Sequence, residues 1–144
     1  MTALRLVSAM ALGLAPVAAL AAGADLTAPG GRWVRLFTPN IENTLGRSIR
    51  VDAASITAGG LGRTFREADV LVNATGKYPR GTTQYSLRSV DCLGGRVRME
   101  QWQLVGPRGV TLGSSTTPGL PQRVVWDKED GMVVRYVCKG IVPR

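Results

Sequence analysis

The chain contains no histidine. The commonest general base near neutral pH and the commonest metal ligand are therefore missing. Its two cysteines are too few for a zinc centre of the usual four-ligand kind. Catalysis would have to rest on carboxylates, lysine or tyrosine. Asp91 and Glu100 are the one nearby carboxylate pair in the hairpin register read below. A glycosidase needs such a pair across a cleft, but these two flank a hairpin with Arg98 beside them, which points to ion pairing. Asp52 and Ser55 lack a base and an oxyanion site. They read instead as a short helical turn or Asx-turn over Asp52–Ile56. No Gly-x-Gly-x-x-Gly, phosphate loop or Gly-x-Ser-x-Gly occurs. No catalytic residue, metal or cofactor is expected.

The remaining chemistry is that of binding. Asn73–Thr83 is a polar, glycine-containing loop, longer than a plain hairpin turn. It places Lys77 and Arg80 around Tyr78, and two cations beside an aromatic suit acidic partners. Arg96 and Arg98 have strand spacing, and with Arg88 from a paired strand they form a candidate basic patch. The plainer alternative is a solvated face with Asp91 and Glu100 as counter-charges. Cys92 and Cys138 leave no unpaired thiol. One disulfide is the simplest reading in an oxidising compartment. The chain-entropy model gives such a closed span roughly 4 kcal/mol. A redox role lacks the C-x-x-C spacing that tunes a thiolate.

The elements that must hold these residues read as β. Gly and Pro punctuate short segments rich in Val, Thr, Tyr, Trp and Phe. Strands are expected at Arg32–Phe37, Arg47–Val51, Arg63–Val72, Gln84–Cys92, Arg96–Val105 and Val110–Ser115. Gly94-Gly95 suits a two-residue turn. That turn would set Asp91 against Arg98, Val90 against Met99 and Leu87 against Trp102. Near the turn and farther out, the apolar pairs then fall on opposite faces. A one-residue bulge around Arg88–Gln101 would bring them together. A second hairpin is expected at Gly106–Gly109, pairing Val105 with Val110 and Leu104 with Thr111. These three strands make a meander. Val124–Trp126 reads as a strand end or core anchor, and Trp33, Trp102 and Trp126 as packing. Met132–Cys138 is ambiguous. Acidic residues before it and Lys139-Gly140 after it suit a helix, whereas Gly131 and three valines favour a strand.

Residues 1–22 read as an export signal. Arg5 precedes a charge-free run, Leu6–Leu20, and Ala19, Ala21 and Ala22 suit a cleavage site. The run is short for a membrane span. Residues 23–144 are then a single domain, periplasmic or secreted, with no transmembrane segment after cleavage. No cysteine lies near residues 19–24, so no lipid-anchor site is expected there. The whole chain carries +8, and Arg5 is the one charged side chain of the signal, which leaves +7. Fifteen of the 18 basic residues are arginine. Such charge suits lipid head groups, anionic polysaccharide, nucleic acid or acidic protein patches, and host or envelope proteins or anionic polymers are the partners expected. Specific nucleic-acid binding is not expected, because the few aromatics are assigned to the core.

The order of these features resembles the surface-adhesin protein E family of proteobacteria. The residues that carry the likeness are Trp33-Val34, Val51-Asp52-Ala53-Ala54-Ser55-Ile56, Asp91-Cys92 with Arg96 and Arg98, Gly109, Ser114, Trp126 and Val137-Cys138. It spans about Gly31–Gly140. The likeness implies an α+β fold, a six-stranded antiparallel sheet with a short C-terminal helix packed on it. It also implies a Cys92–Cys138 disulfide joining strand to helix, which favours helix for Met132–Cys138. Two departures stand out. Asp127–Gly131 replaces the family's Pro-Gly-Ser helix start, and the lipid-anchor cysteine is missing. The function implied is that of an exported, non-enzymatic binding or structural domain, with a homodimer among its forms. The alternative is a periplasmic enzyme or enzyme inhibitor using carboxylate or lysine chemistry. Candidate binding residues are Lys77, Tyr78, Arg80, Arg88, Arg96 and Arg98.

Overall fold

A computed structural model describes residues 25–143 of the chain. The export signal expected over 1–22 lies outside them. Six strands form an antiparallel meander: β1 (Trp33–Arg35), β2 (Arg47–Gly59), β3 (Gly62–Leu71), β4 (Thr83–Asp91), β5 (Arg96–Val105) and β6 (Thr111–Ser115). A two-residue strand, β7 (Gln122–Arg123), pairs with β5 beyond the end of β6. Helix α1 (Pro39–Leu45) links β1 to β2, and α2 (Glu129–Lys139) follows β7. The fold is thus α+β, with the expected sheet and C-terminal helix. The strand β7 and the helix α1 are additions.

Local chemistry explains α1. Thr38 is extended and Pro39 opens the helix, where its missing N–H costs nothing. Gly46 ends it at φ 75°, giving its N–H to the Glu42 carbonyl. Ile41 and Leu45, one turn apart, pack on the core.

The turn expected over Asp52–Ile56 is a wide bulge inside β2. Asp52 pairs with Arg66 and Thr57 with Thr64, so Ala53–Ile56 stand opposite Phe65 alone. The side-chain bonds are the ones a turn would use. Asp52 Oδ1 accepts from the Ala54 N–H at 3.0 Å, and Ser55 Oγ donates to the Asp52 carbonyl at 2.7 Å. Pairing with β3 on both sides keeps the segment in the sheet.

The first hairpin differs from its expected register. Asp91 faces Arg96 and Val90 faces Val97, so four residues turn instead of two. Asp91 sets this turn: its Oδ1 accepts the N–H groups of Leu93 and Gly94 at 3.1 and 2.8 Å. Gly95 closes it at φ 63°. Cys92 lies in this turn, one residue past β4. The expected bulge is present, with Arg88 opposite Met99 and Leu87 opposite Gln101. It aligns Val97, Met99, Trp102 and Leu104 on one face of β5, but Tyr85 and Leu87 stay on the other face of β4. The second hairpin also shifts: Val105 pairs with Thr111 and Leu104 with Gly113.

Helix α2 buries Val133, Val134 and Val137 against Val51, Phe65, Val90 and Val97. Burial of each such valine is worth about 1.5–3 kcal/mol. This offsets the poor helix propensity of valine. Gly131, unfavourable in a helix by propensity, is required by close approach. A Cβ there would collide with the Trp126 main chain. A disulfide joins Cys92 to Cys138 across 46 residues, Cα atoms 5.8 Å apart, and ties the β4–β5 turn to the last turn of α2.

Candidate functional site

Strand register brings polar residues onto the face that carries α2. Directly opposed residues share a face, so successive rows can be read across the sheet. One row runs Phe65, Arg88, Met99; the next runs Val51, Glu67, Ser86, Trp102; the third runs Ile49, Asp69, Gln84, Leu104. The first half of this face is core beneath α2. The second half is a groove of about 500 Å³, bounded by Leu71, Tyr78, Met99, Trp102 and Leu104, with Arg47, Asp69 and Gln84 among its walls. A second hollow of about 490 Å³ continues it under Gly119–Leu120 and the start of α2.

The charges along this face are joined to one another. Arg88 NH1 donates to both Glu67 oxygens at 2.9 and 3.1 Å, and its NH2 donates to Asp130 of α2 at 2.9 Å. Its plane also lies 6.0 Å from the centre of the Phe65 ring. Arg47 donates to Asp69 at 2.7 Å and approaches Glu129 at 3.5 Å. Burial pushes the Glu67 carboxyl up from its ordinary range, against the pull of Arg88. Burial pushes Asp69 up likewise, against Arg47. The Arg88 guanidinium is itself pulled down by burial but raised overall by Glu67 and Asp130.

The expected basic patch is not formed. Arg88 is buried on the helix-bearing face, because it alternates in phase with Val90 and Ser86 along β4. Arg98, opposite Ser89, lies on the other face and binds Glu100 at 2.8 Å, while Ser89 Oγ bonds the same carboxylate. Arg96 is exposed beside Asp91. The expected Asp91–Arg98 pair is thus replaced by Arg98–Glu100, because the Asp91 carboxylate is taken up by the turn.

The loop before β4 keeps its candidate residues together. Thr75 Oγ1 accepts the Tyr78 N–H at 2.9 Å, and the Thr75 N–H donates to the Tyr78 carbonyl at 2.8 Å. Lys77 Nζ stands 5.2 Å from the centre of the Tyr78 ring. Tyr78 is half-buried and forms one wall of the groove, while Lys77 and Arg80 are exposed. Neither cation meets a carboxylate among the described residues.

Sequence reasoning missed the groove itself. Its signal was present in β3 and β4. Phe65, Glu67, Asp69 and Leu71 alternate along one strand, and Gln84, Ser86, Arg88 and Val90 along its neighbour. Polar residues in the same phase as core residues mark a face that is only half core. The tryptophans also differ from expectation. Trp102 lines the groove, Trp126 is 42 % exposed with Arg135 6.0 Å from its ring centre, and Trp33 is half-buried under Arg66 at 5.0 Å.

On the opposite face, Asp52 and Arg66 hold down the segment that leads into β1. Asp52 Oδ1 accepts the Arg32 N–H at 2.7 Å, and Arg66 NH2 donates to Asp52 Oδ2 at 2.7 Å. Arg66 also reaches the carbonyls of Ala28 and Gly30 at 3.1 and 2.5 Å. Among the described residues, no group of three or more Cys, Asp or Glu side chains is placed to hold a metal ion. No described helix is long and apolar enough to cross a membrane. The chain matches no protein family, no curated protein and no solved structure.

Proposed function

We propose that this chain is an exported, disulfide-locked domain of the surface-adhesin protein E type that acts by binding. One observation carries the reading: Lys77, Tyr78 and Arg80 stand on a hydrogen-bonded loop at the rim of the groove. The two cations lack acidic neighbours among the described residues. By contrast Arg35, Arg47, Arg66, Arg88 and Arg98 are all engaged by carboxylates of the same chain. Tyr78 and Trp102 supply the rigid aromatic area that anchors protein contacts. The partner is a host or envelope protein or an anionic polymer that presents acidic groups to Lys77 and Arg80. Burial of the Glu67 and Asp69 carboxyls raises their pKa, the kind of perturbation an enzyme or inhibitor site would use. Their direct pairing with Arg88 and Arg47 assigns them instead to holding the face together.

The test is capture from envelope and host-matrix extracts at two salt concentrations. Screening shortens the reach of exposed charges, so salt-sensitive capture that disappears in Lys77→Ala/Arg80→Ala is expected. Capture indifferent to both salt and these substitutions would overturn the reading.

A further inference from the structure

We propose that one end of the sheet is a docking tip for an anionic lipid surface. The proposal rests on the binding role of Lys77, Tyr78 and Arg80 and adds a lipid partner to the protein or polymer read for them above. Two loops meet at this end, 72–82 between β3 and β4 and 106–110 between β5 and β6. Their contact is close, for a Cβ on Gly81 would stand 3.2 Å from Pro107 Cβ. Lys77, Tyr78 and Pro79 from one loop, with Pro107, Arg108 and Val110 from the other and Leu112 from β6, border a hollow of about 630 Å³.

Three features select the partner. Neither loop contains an acidic residue, while together they carry Lys77, Arg80 and Arg108. All three cations are exposed. Beside them Val110 is 61 % and Leu112 49 % exposed, with Tyr78 alongside. Cations alone would suit any polyanion. Exposed aliphatic side chains among them gain nothing from a hydrated polysaccharide, which has no apolar phase. A bilayer interface takes both, with head groups meeting the cations and the acyl boundary meeting Val110, Leu112 and the tyrosine ring. The most exposed of the described apolar residues, Leu93, lacks this setting. It lies in the β4–β5 turn at the other end of the sheet, next to Asp91.

The test uses the protein as recovered from cells and co-sedimentation with two kinds of vesicle. One kind is phosphatidylcholine; the other is an equal mixture of phosphatidylcholine and phosphatidylglycerol. Binding to the anionic vesicles is expected to exceed binding to the neutral ones. Each cation near an anionic surface is worth about fivefold, so Lys77→Ala/Arg80→Ala/Arg108→Ala weakens binding about a hundredfold. Val110→Ser/Leu112→Ser weakens it about tenfold or more. Leu93→Ser leaves it unchanged. Unaltered circular dichroism and thermal unfolding show that each variant is folded. Retention on immobilised heparin, a sulfated polysaccharide, separates the two ideas. Full vesicle binding by Val110→Ser/Leu112→Ser would overturn the lipid proposal, and so would equal binding to both vesicles. If heparin retention then still required Lys77 and Arg80, the broader reading as a polyanion binder would stand. Loss of vesicle binding by Leu93→Ser to the same degree would overturn the placement of the tip.

Discussion

Two buried carboxylate–arginine pairs sit on opposite faces of the same sheet, and their acids shift in opposite directions. Asp52, with Arg66, faces the segment before β1; Glu67, with Arg88, faces α2. Burial works against charge in both. At Asp52 it is the largest single influence, yet the carboxyl ends below its ordinary range. Arg66 and the N–H groups of Arg32 and Ala54 together outweigh it. At Glu67 burial wins and the carboxyl rises, because Arg88 is its main partner and Arg88 is shared with Asp130. At Glu67 one arginine does not overcome burial and the like charges of Asp130 and Asp69, whereas Asp52 adds two backbone amides to its arginine and has no such acidic neighbour among the influences on it. The Asp52 site is a clasp. The Glu67 site is a buried charge held in place by a helix and a disulfide.

The largest way to break this comparison is Arg88→Leu. It leaves Glu67 buried without its cation and costs up to about 5 kcal/mol in denaturant unfolding. The double variant Arg88→Leu/Glu67→Leu should recover much of that loss, since an apolar pair does not pay for desolvated charge. Replacing both Cys92 and Cys138 by serine should cost about 4 kcal/mol. It should also bring the Glu67 carboxyl down toward its ordinary range by loosening α2, while Asp52, on the other face, keeps its low value; carboxyl-selective NMR titration reads both. Asp52→Asn keeps an acceptor for the two amides but loses the charge facing Arg66, a cost of about 2 kcal/mol.

The smallest effect is in the pH profile, and its sign differs between the sites. For Asp52 the folded carboxyl lies below the unfolded one. Its stabilisation is complete above the ordinary carboxylate range and is lost as pH falls through the folded value. For Glu67 the folded carboxyl lies above the unfolded one. Between the two values the native state holds a proton that the unfolded chain has released, so stability declines as pH rises through that window. Asp52→Asn should therefore flatten the acid limb of stability against pH, and Glu67→Gln should flatten the decline just above it. Denaturant midpoints across a pH series measure both.

Much of the scaffold was legible in the sequence because it depends on local signals. Gly-rich turns, alternating strands and two cysteines pointed to the meander, the bulge near Arg88 and the disulfide. Helix α1 was not expected, although Thr38-Pro39 and Gly46 after Leu45 carry its start and stop signals. Registers were not legible. The Gly94-Gly95 turn was shifted by the Asp91 side chain, a competition between side chain and backbone that composition does not reveal. Arg88 lies two residues before buried Val90 in β4, so strand alternation puts it on the core face in either register. The groove was hidden for a related reason. The polar phase is visible along β3 and along β4 singly, but Glu67, Asp69, Gln84 and Arg88 come together only when those two strands are aligned. The Lys77–Arg80 loop could be read directly, since its polar character and its length are contained in one stretch of chain.

The binding account is tested most directly by comparing two variants in the same capture experiment. One is Lys77→Ala/Tyr78→Ala/Arg80→Ala at the rim of the groove; the other is Arg96→Ala/Arg98→Ala on the opposite face. The account predicts that the first loses partner capture from envelope and host-matrix extracts, while the second retains it with the same thermal unfolding. Capture that survives the first set of substitutions and disappears with the second would contradict it.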